Sequence, residues 1–301
     1  MRLSSSQRET LWAYIFLIPT LVLFGFIVLY PFIYAFYLSL LEWGIFGNST
    51  YTGLRNYADM LKDNLFWKSI GITLHWTAGV VPGIIAISLL IALALNIPTL
   101  KLKGTFRTIY FIPVVTNMVA ASFVWRWLFE PTFGVVNYFL GLLGLPEPGW
   151  LASTKWALPA MMVVGIWKQI GFAMVIFLAG LQTIPKEIKE AARIDGASRW
   201  QEFCRIVLPL LNPTIVFVAV MLVINALRVF TIPYVMSAGG FTYGVPGGPL
   251  NSTRVFVIHI YDLGFRQFNI GYASANAFAL LLLIMSVTII QMKLIERPFE
   301  Y

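Results

Sequence analysis

Residues 190–209 read EAARIDGASRWQEFCRIVLP. This polar stretch lies between two long apolar segments, 156–184 and 208–236. Each is long enough to cross a bilayer, which takes about 20 mostly apolar residues. A charged island between two such segments is a loop of a multi-pass membrane protein. It fits the pattern E-A-A-x3-G-x9-I-x-L-P.

Composition agrees with that reading. Of 301 residues, 59% are hydrophobic and 11% charged, whereas soluble domains carry about 25% charged residues. Mean hydropathy is +0.79. Four further segments qualify as spans: 11–41, 70–97, 106–129 and 271–294. The predicted fold is therefore all-α integral membrane, with six transmembrane helices in one domain over 1–301. The first segment is too long for a signal-peptide core and is read as an uncleaved span. No repeat of fixed period and no soluble domain is seen.

Lys and Arg in the flanks set the orientation. With the N-terminus inside, twelve of the 21 cations flank the spans on the inner side and six on the outer side. Arg126, Lys168 and Arg228 fall within spans. The bias predicts N-in and C-in, with loop 185–207 in the cytoplasm. Trp43, Trp67, Trp127, Trp150 and Trp156 then fall near the outer interface, where an aromatic belt is expected. The net charge of +8 follows the membrane flanks, so no nucleic-acid partner is expected. Among the outer segments, 135–145 reads as an interfacial helix. Segment 237–254 is a shaped Gly/Pro-rich loop. The sequons at Asn48 and Asn251 read as chance matches.

Several chemistries lack their residues. The sequence has no G-x-x-x-x-G-K-[ST], no H-E-x-x-H and no C-x-x-C. Cys204 is the single cysteine and His75 and His259 are far apart. No enzyme activity, metal site or cofactor is expected in this chain.

Loop 185–207 is amphipathic at helical spacing. Pro185 suits a first turn, and Glu187 and Glu190 sit near the N-terminus, where the helix dipole favours anions. Ile188, Ala191, Ala192 and Ile194 offer a small apolar surface. Gly196 breaks or caps the helix. A second short helix over 198–206 places Trp200, Phe203 and Ile206 on one side. The result is a compact helix–Gly–helix knob for a partner protein. The alternative is a hairpin on the lipid surface, with Lys186, Lys189, Arg193, Arg199 and Arg205 on anionic head groups.

The stretch resembles the EAA loop of ABC importer permeases, the subunits that dock on a separate ATPase. Glu190, Ala191, Ala192, Gly196, Ile206, Leu208 and Pro209 all match. Leu178-Ala179-Gly180-Leu181-Gln182-x-Ile184-Pro185 and Ile194-Asp195-Gly196-Ala197, with Trp200 and Phe203, are similar to the carbohydrate-uptake subfamily related to maltose permeases. Tyr110-Phe111-x-Pro113, Gly247-Gly248-Pro249 and Gly271-Tyr272-Ala273-Ser274-Ala275 extend the resemblance over about residues 11–294. Two departures stand out: segment 237–246 is expanded, and no large extra outer domain is present.

The resemblance implies a multi-pass permease in the inner membrane of a bacterium or archaeon. It implies a second permease subunit, commonly non-identical, two cytoplasmic ATPase subunits that bind ATP and Mg, and an extracytoplasmic solute-binding protein. The coupling residues it implies are Glu190, Ala191, Ala192, Asp195, Gly196, Arg199, Trp200 and Phe203.

Polar residues inside spans are costly and usually face a cavity or a partner. Asn117, Lys168, Gln169, Asn225, Arg228, Tyr272 and Asn276 are the candidates for the solute pathway. Asn225 with Arg228, and Tyr272 with Asn276, share helix faces. Helix packing, snorkelling or contact with the second permease are the plainer roles for each. The expected solute is a sugar or oligosaccharide. A polyol phosphate such as glycerol 3-phosphate is the alternative, given Lys168 and Arg228. An ion-coupled secondary transporter would want internal repeats and a mid-span acid, and neither is seen. A membrane enzyme would want clustered carboxylates, and the outer acids are dispersed.

Overall fold

The computed structural model describes residues 5–43, 49–237 and 246–295. Among the described residues, five helices are long and apolar enough to cross a membrane: Trp12–Ser39, Asn64–Leu95, Ala157–Thr183, Asn212–Ser237 and Ile270–Lys293. A sixth candidate is a bent pair, Lys103–Val115 and Met118–Leu128. Among the described residues the strands form one short antiparallel ribbon, Leu41–Trp43 with Ser49–Tyr51, which pairs Leu41 with Tyr51. The sequon at Asn48 and most of the expanded segment, 238–245, lie outside the described residues. Contacts group the chain into two compact units, 1–63 with 260–280 and 64–259 with 281–301.

In the first unit, Trp12–Ser39 presents apolar side chains all round, with no part of its apolar window buried. A helix that is apolar on every face belongs in lipid or against other chains. Pro31 has no N–H to donate to the preceding turn. The ladder responds by slipping one residue: Gly25–Leu29 is a π turn closed by the Tyr30 N–H on the Gly25 carbonyl. The buried Asn56 side chain donates to the Ser39 and Leu41 carbonyls, both at 2.9 Å, fixing the exit from that helix. A Cβ on Gly271 would run into the Leu41 carbonyl.

The core of the second unit is built on Ala157–Thr183, more than half of whose apolar window is buried. Small residues let it lie close to Asn64–Leu95. Gly79 receives Met162, Gly83 receives Ile166, and Gly165 takes the Trp76 ring. The Gly79–Gly83 spacing is the small-x-x-x-small device of membrane helices. Elsewhere the Thr73 hydroxyl accepts the Phe256 N–H at 2.8 Å. Within segment 135–145 a helix forms over Val135–Leu142.

Segment 106–129 was expected as one span. Instead its two helices meet at 100°. The break follows from unmet backbone groups. Thr116 turns the chain to extended geometry after Pro113. The Asn117 side chain then starts the next helix, accepting the Val119 and Ala120 N–H groups at 2.9 and 3.1 Å. The carbonyls freed at the first helix end receive the Lys168 ammonium, which donates to Pro113 O at 2.5 Å, Thr116 O at 2.5 Å and Val114 O at 3.2 Å. A cation at a helix C-terminus is also favoured by the dipole. One turn along the same helix, Gly171 lets the Tyr110 carbonyl approach where any Cβ would collide with it.

Two outcomes test this junction. Lys168→Met should destabilise the detergent-solubilised protein by about 1–3 kcal/mol for each carbonyl left without a donor, read as a lowered midpoint of chemical unfolding. Gly171→Val should lower the thermal midpoint, because overpacking against backbone costs about 1–3 kcal/mol or more. Gly71→Ala, where no described atom lies within 4 Å of the new Cβ, serves as the control. Equal midpoints for the two glycine variants would contradict the close approach.

Candidate functional site

Loop 185–207 folds as a helix, a glycine stop and a second helical stretch. Lys186–Ile194 follows Pro185, with Glu187 in its first turn. It ends in a Schellman motif: the Ala197 N–H bonds Ala192 O at 2.9 Å and the Gly196 N–H bonds Arg193 O at 3.1 Å. Gly196 sits at φ +80°, and no described atom lies within 4 Å of where its Cβ would be. The glycine is therefore required by backbone conformation and not by space. Ser198 and Gln201 form a reciprocal capping box for Arg199–Glu202.

The expected continuous helix over 198–206 is not what forms. Arg199–Glu202 passes into a π turn, Phe203–Val207, closed by the Leu208 N–H on Phe203 O. Pro209 explains it, since its missing N–H breaks the ladder there. Trp200, Phe203 and Ile206 consequently do not share one environment. Trp200 is 72% exposed, whereas Phe203 and Ile206 are half-buried. Of the expected apolar surface, Ile188, Ala191 and Ile194 are exposed and Ala192 is buried.

One contact shapes the knob and was not foreseen from sequence. Arg193 Nε donates to Glu202 Oε2 at 2.9 Å and Arg193 Nη2 to Glu202 Oε1 at 3.3 Å. This two-pronged clasp ties the first helix to the second stretch. Glu202 is buried and Arg193 exposed. The hydrogen bond to Glu202, with its charge, holds the Arg193 guanidinium above the ordinary arginine range. Burial pushes the neighbouring Lys189 ammonium down, opposed by the same carboxylate. The capping pattern, a serine followed three residues later by glutamine, was visible in the sequence. The clasp spans nine residues across a glycine turn, so no short-range rule exposes it. Glu190, Ala191, Asp195, Arg199 and Trp200 all remain exposed. The knob thus offers a carboxylate, a guanidinium and an indole on a stiff frame.

The second unit holds a cavity of about 270 Å³. Lys168, Gln169, Asn225 and Arg228 line it, with Trp76 and Phe230 among its apolar walls. Four of the seven pathway candidates therefore meet there. Arg228 ends Asn212–Leu227 and precedes the next helix, Thr231–Ser237. Asn225 lies one turn back on the same face. Asn117 does not line the cavity and serves as a helix cap. Tyr272 and Asn276 belong to the other unit: the Tyr272 hydroxyl donates to Asp63 at 3.1 Å and the Asn276 amide to Tyr272 O at 2.9 Å. The aromatic walls were missed because an aromatic residue within a span reads first as packing.

Comparison with known proteins places these features in a family. Residues 84–298 match the family described as binding-protein-dependent transport system inner membrane component. The probable ABC transporter permease protein PH1215 of Pyrococcus horikoshii is 33% identical over 278 residues, covering 91% of this chain and 92% of that protein. The trehalose/maltose transport system permease protein MalF of Thermococcus litoralis is 33% identical over 287 residues, covering 95% and 94%. In fold, the chain resembles a bacterial ABC transporter involved in the import of the acidic polysaccharide alginate, with a TM-score of 0.83, 24% identity and 100% of both chains covered. On the family match and the full-length relatives, the chain belongs to the binding-protein-dependent ABC permeases of the carbohydrate-uptake type.

Proposed function

We propose that this permease forms half of the pathway of an ATP-driven importer for a sugar or oligosaccharide, and that loop 185–207 is the element a separate ATPase drives. The clasped knob is the observation that carries the reading. A transmitter must not absorb the displacement it passes on. Schellman stop, capping box and Arg193–Glu202 clasp all remove freedom from it. Glu190, Asp195, Arg199 and Trp200 stay exposed for a partner. An exposed carboxylate suits a partner's arginine.

In this reading both termini and the knob face the cytoplasm, as the distribution of Lys and Arg favours. A second permease, commonly a different chain, completes the pathway. Two ATPase subunits hold ATP and Mg, and an extracytoplasmic binding protein delivers the solute. ATP binds the closed ATPase dimer better than the open one, and that difference in affinity is what can shift the spans between inward- and outward-open states. The relatives support the saccharide: one is named for trehalose and maltose transport, and the structural counterpart for alginate import. Gln169 and Asn225 supply amides and Phe230 an aromatic surface that suit a sugar.

Two outcomes follow for the complex reconstituted in proteoliposomes with its own ATPase, partner permease and binding protein. Gly196→Val forces a β-branched residue into left-handed backbone, at about 1–2 kcal/mol or more. With Glu190→Ala, it should cut solute uptake at least tenfold while the chain remains membrane-inserted. Undiminished uptake and solute-stimulated ATPase in both variants would remove the coupling role. Asn225→Ala should raise the apparent KM for solute by about two- to tenfold, the worth of one hydrogen bond, and leave ATP affinity unchanged.

A further inference from the structure

The two cations of the cavity are not equivalent. Lys168 is 8% exposed and its ammonium is committed to the carbonyls of Pro113, Val114 and Thr116. It neutralises a helix end and has no donor left for a ligand. Arg228 is exposed to the cavity. Among the described residues it makes no hydrogen bond or ion pair. No acidic side chain occurs among the described residues that line the cavity. A guanidinium within an apolar span is costly unless something answers its charge. The backbone break that carries it, between Asn212–Leu227 and Thr231–Ser237, is of the kind tolerated in lipid only where it is buried in protein or lines a water-filled cavity.

We infer that the solute is an acidic saccharide, a sugar carrying a carboxylate, whose anionic group pairs with Arg228 while Asn225 and Gln169 take hydroxyls. This rests on the saccharide-import reading above and narrows it. The planar guanidinium fork matches a carboxylate in two parallel hydrogen bonds. Of the two cations only Arg228 has donors free for a ligand among the described residues, because those of Lys168 are taken by carbonyls. A phosphate monoester presents three strong acceptor oxygens, more than one guanidinium fork can pair, and the Lys168 donors are already taken. Half-buried Phe230 lines the same cavity and offers an aromatic surface for the ring.

The test uses the complete reconstituted complex and three probes: a uronate-containing disaccharide, its carboxyl-reduced neutral counterpart, and a hexose 6-phosphate. The expected result is preferential uptake of the uronate. Arg228→Gln should lower the uronate-to-neutral ratio of kcat/KM at least tenfold, and Arg228→Lys should recover part of it. The binding protein is the same in every arm, so a change in the ratio reports the permease. Preferential uptake of the neutral sugar or the phosphate overturns the inference and leaves the importer reading standing, as does an unchanged ratio in Arg228→Gln. ATP-dependent uptake of none of the three overturns both.

Discussion

A backbone amide or carbonyl inside a bilayer finds no water, so each must be bonded within the protein. That constraint organises this chain wherever its helices are interrupted. Before Pro31 and Pro209 the ladder slips into a π turn, closed by the bonds Tyr30 to Gly25 and Leu208 to Phe203. Between Pro113 and Met118 slippage is not enough, because the chain turns through 100°. There the solution is bought with side chains: Asn117 answers the amides of one helix start and Lys168 the carbonyls of the other helix end. The lysine comes from Ala157–Thr183, the helix at the centre of the second unit's core. A local break is thereby wired into that core.

The same helix explains why glycine recurs at the contacts. Lipid gives apolar side chains little reason to prefer one another, so helices gain by approaching closely enough for dispersion and shape to count. Gly79, Gly83 and Gly165 let the Met162, Ile166 and Trp76 side chains sit against backbone. Gly171 does the same for a carbonyl. These are packing roles, whereas Gly196 is a conformational one. The distinction matters for reading substitutions: the first kind fails by collision and the second by strained φ.

Much of this was legible in residue order. Apolar runs located the five long helices and the bent pair. Gly196 was read as a stop, and the EAA pattern led to the family that the full-length relatives bear out. What escaped was tertiary. The bend in 106–129 depends on Lys168, more than 50 residues away in sequence, and a hydropathy window sees only an apolar run. The clasp between Arg193 and Glu202 crosses a glycine turn, beyond any helical spacing rule. The division of labour between Lys168 and Arg228 could not be read from two cations in two spans, because only geometry shows which one is already occupied.

The Arg193–Glu202 clasp, the capping box and the Schellman stop are all contained within residues 191–202. The knob's shape is thus written in its own short stretch of chain and not borrowed from the spans. If that stretch is the docking element, energy supply and cargo choice are encoded in separate parts of the gene. The cavity residues can then drift toward a new solute while the knob keeps its fit to an unchanged motor. One ATPase could in this way serve several permeases of different appetite.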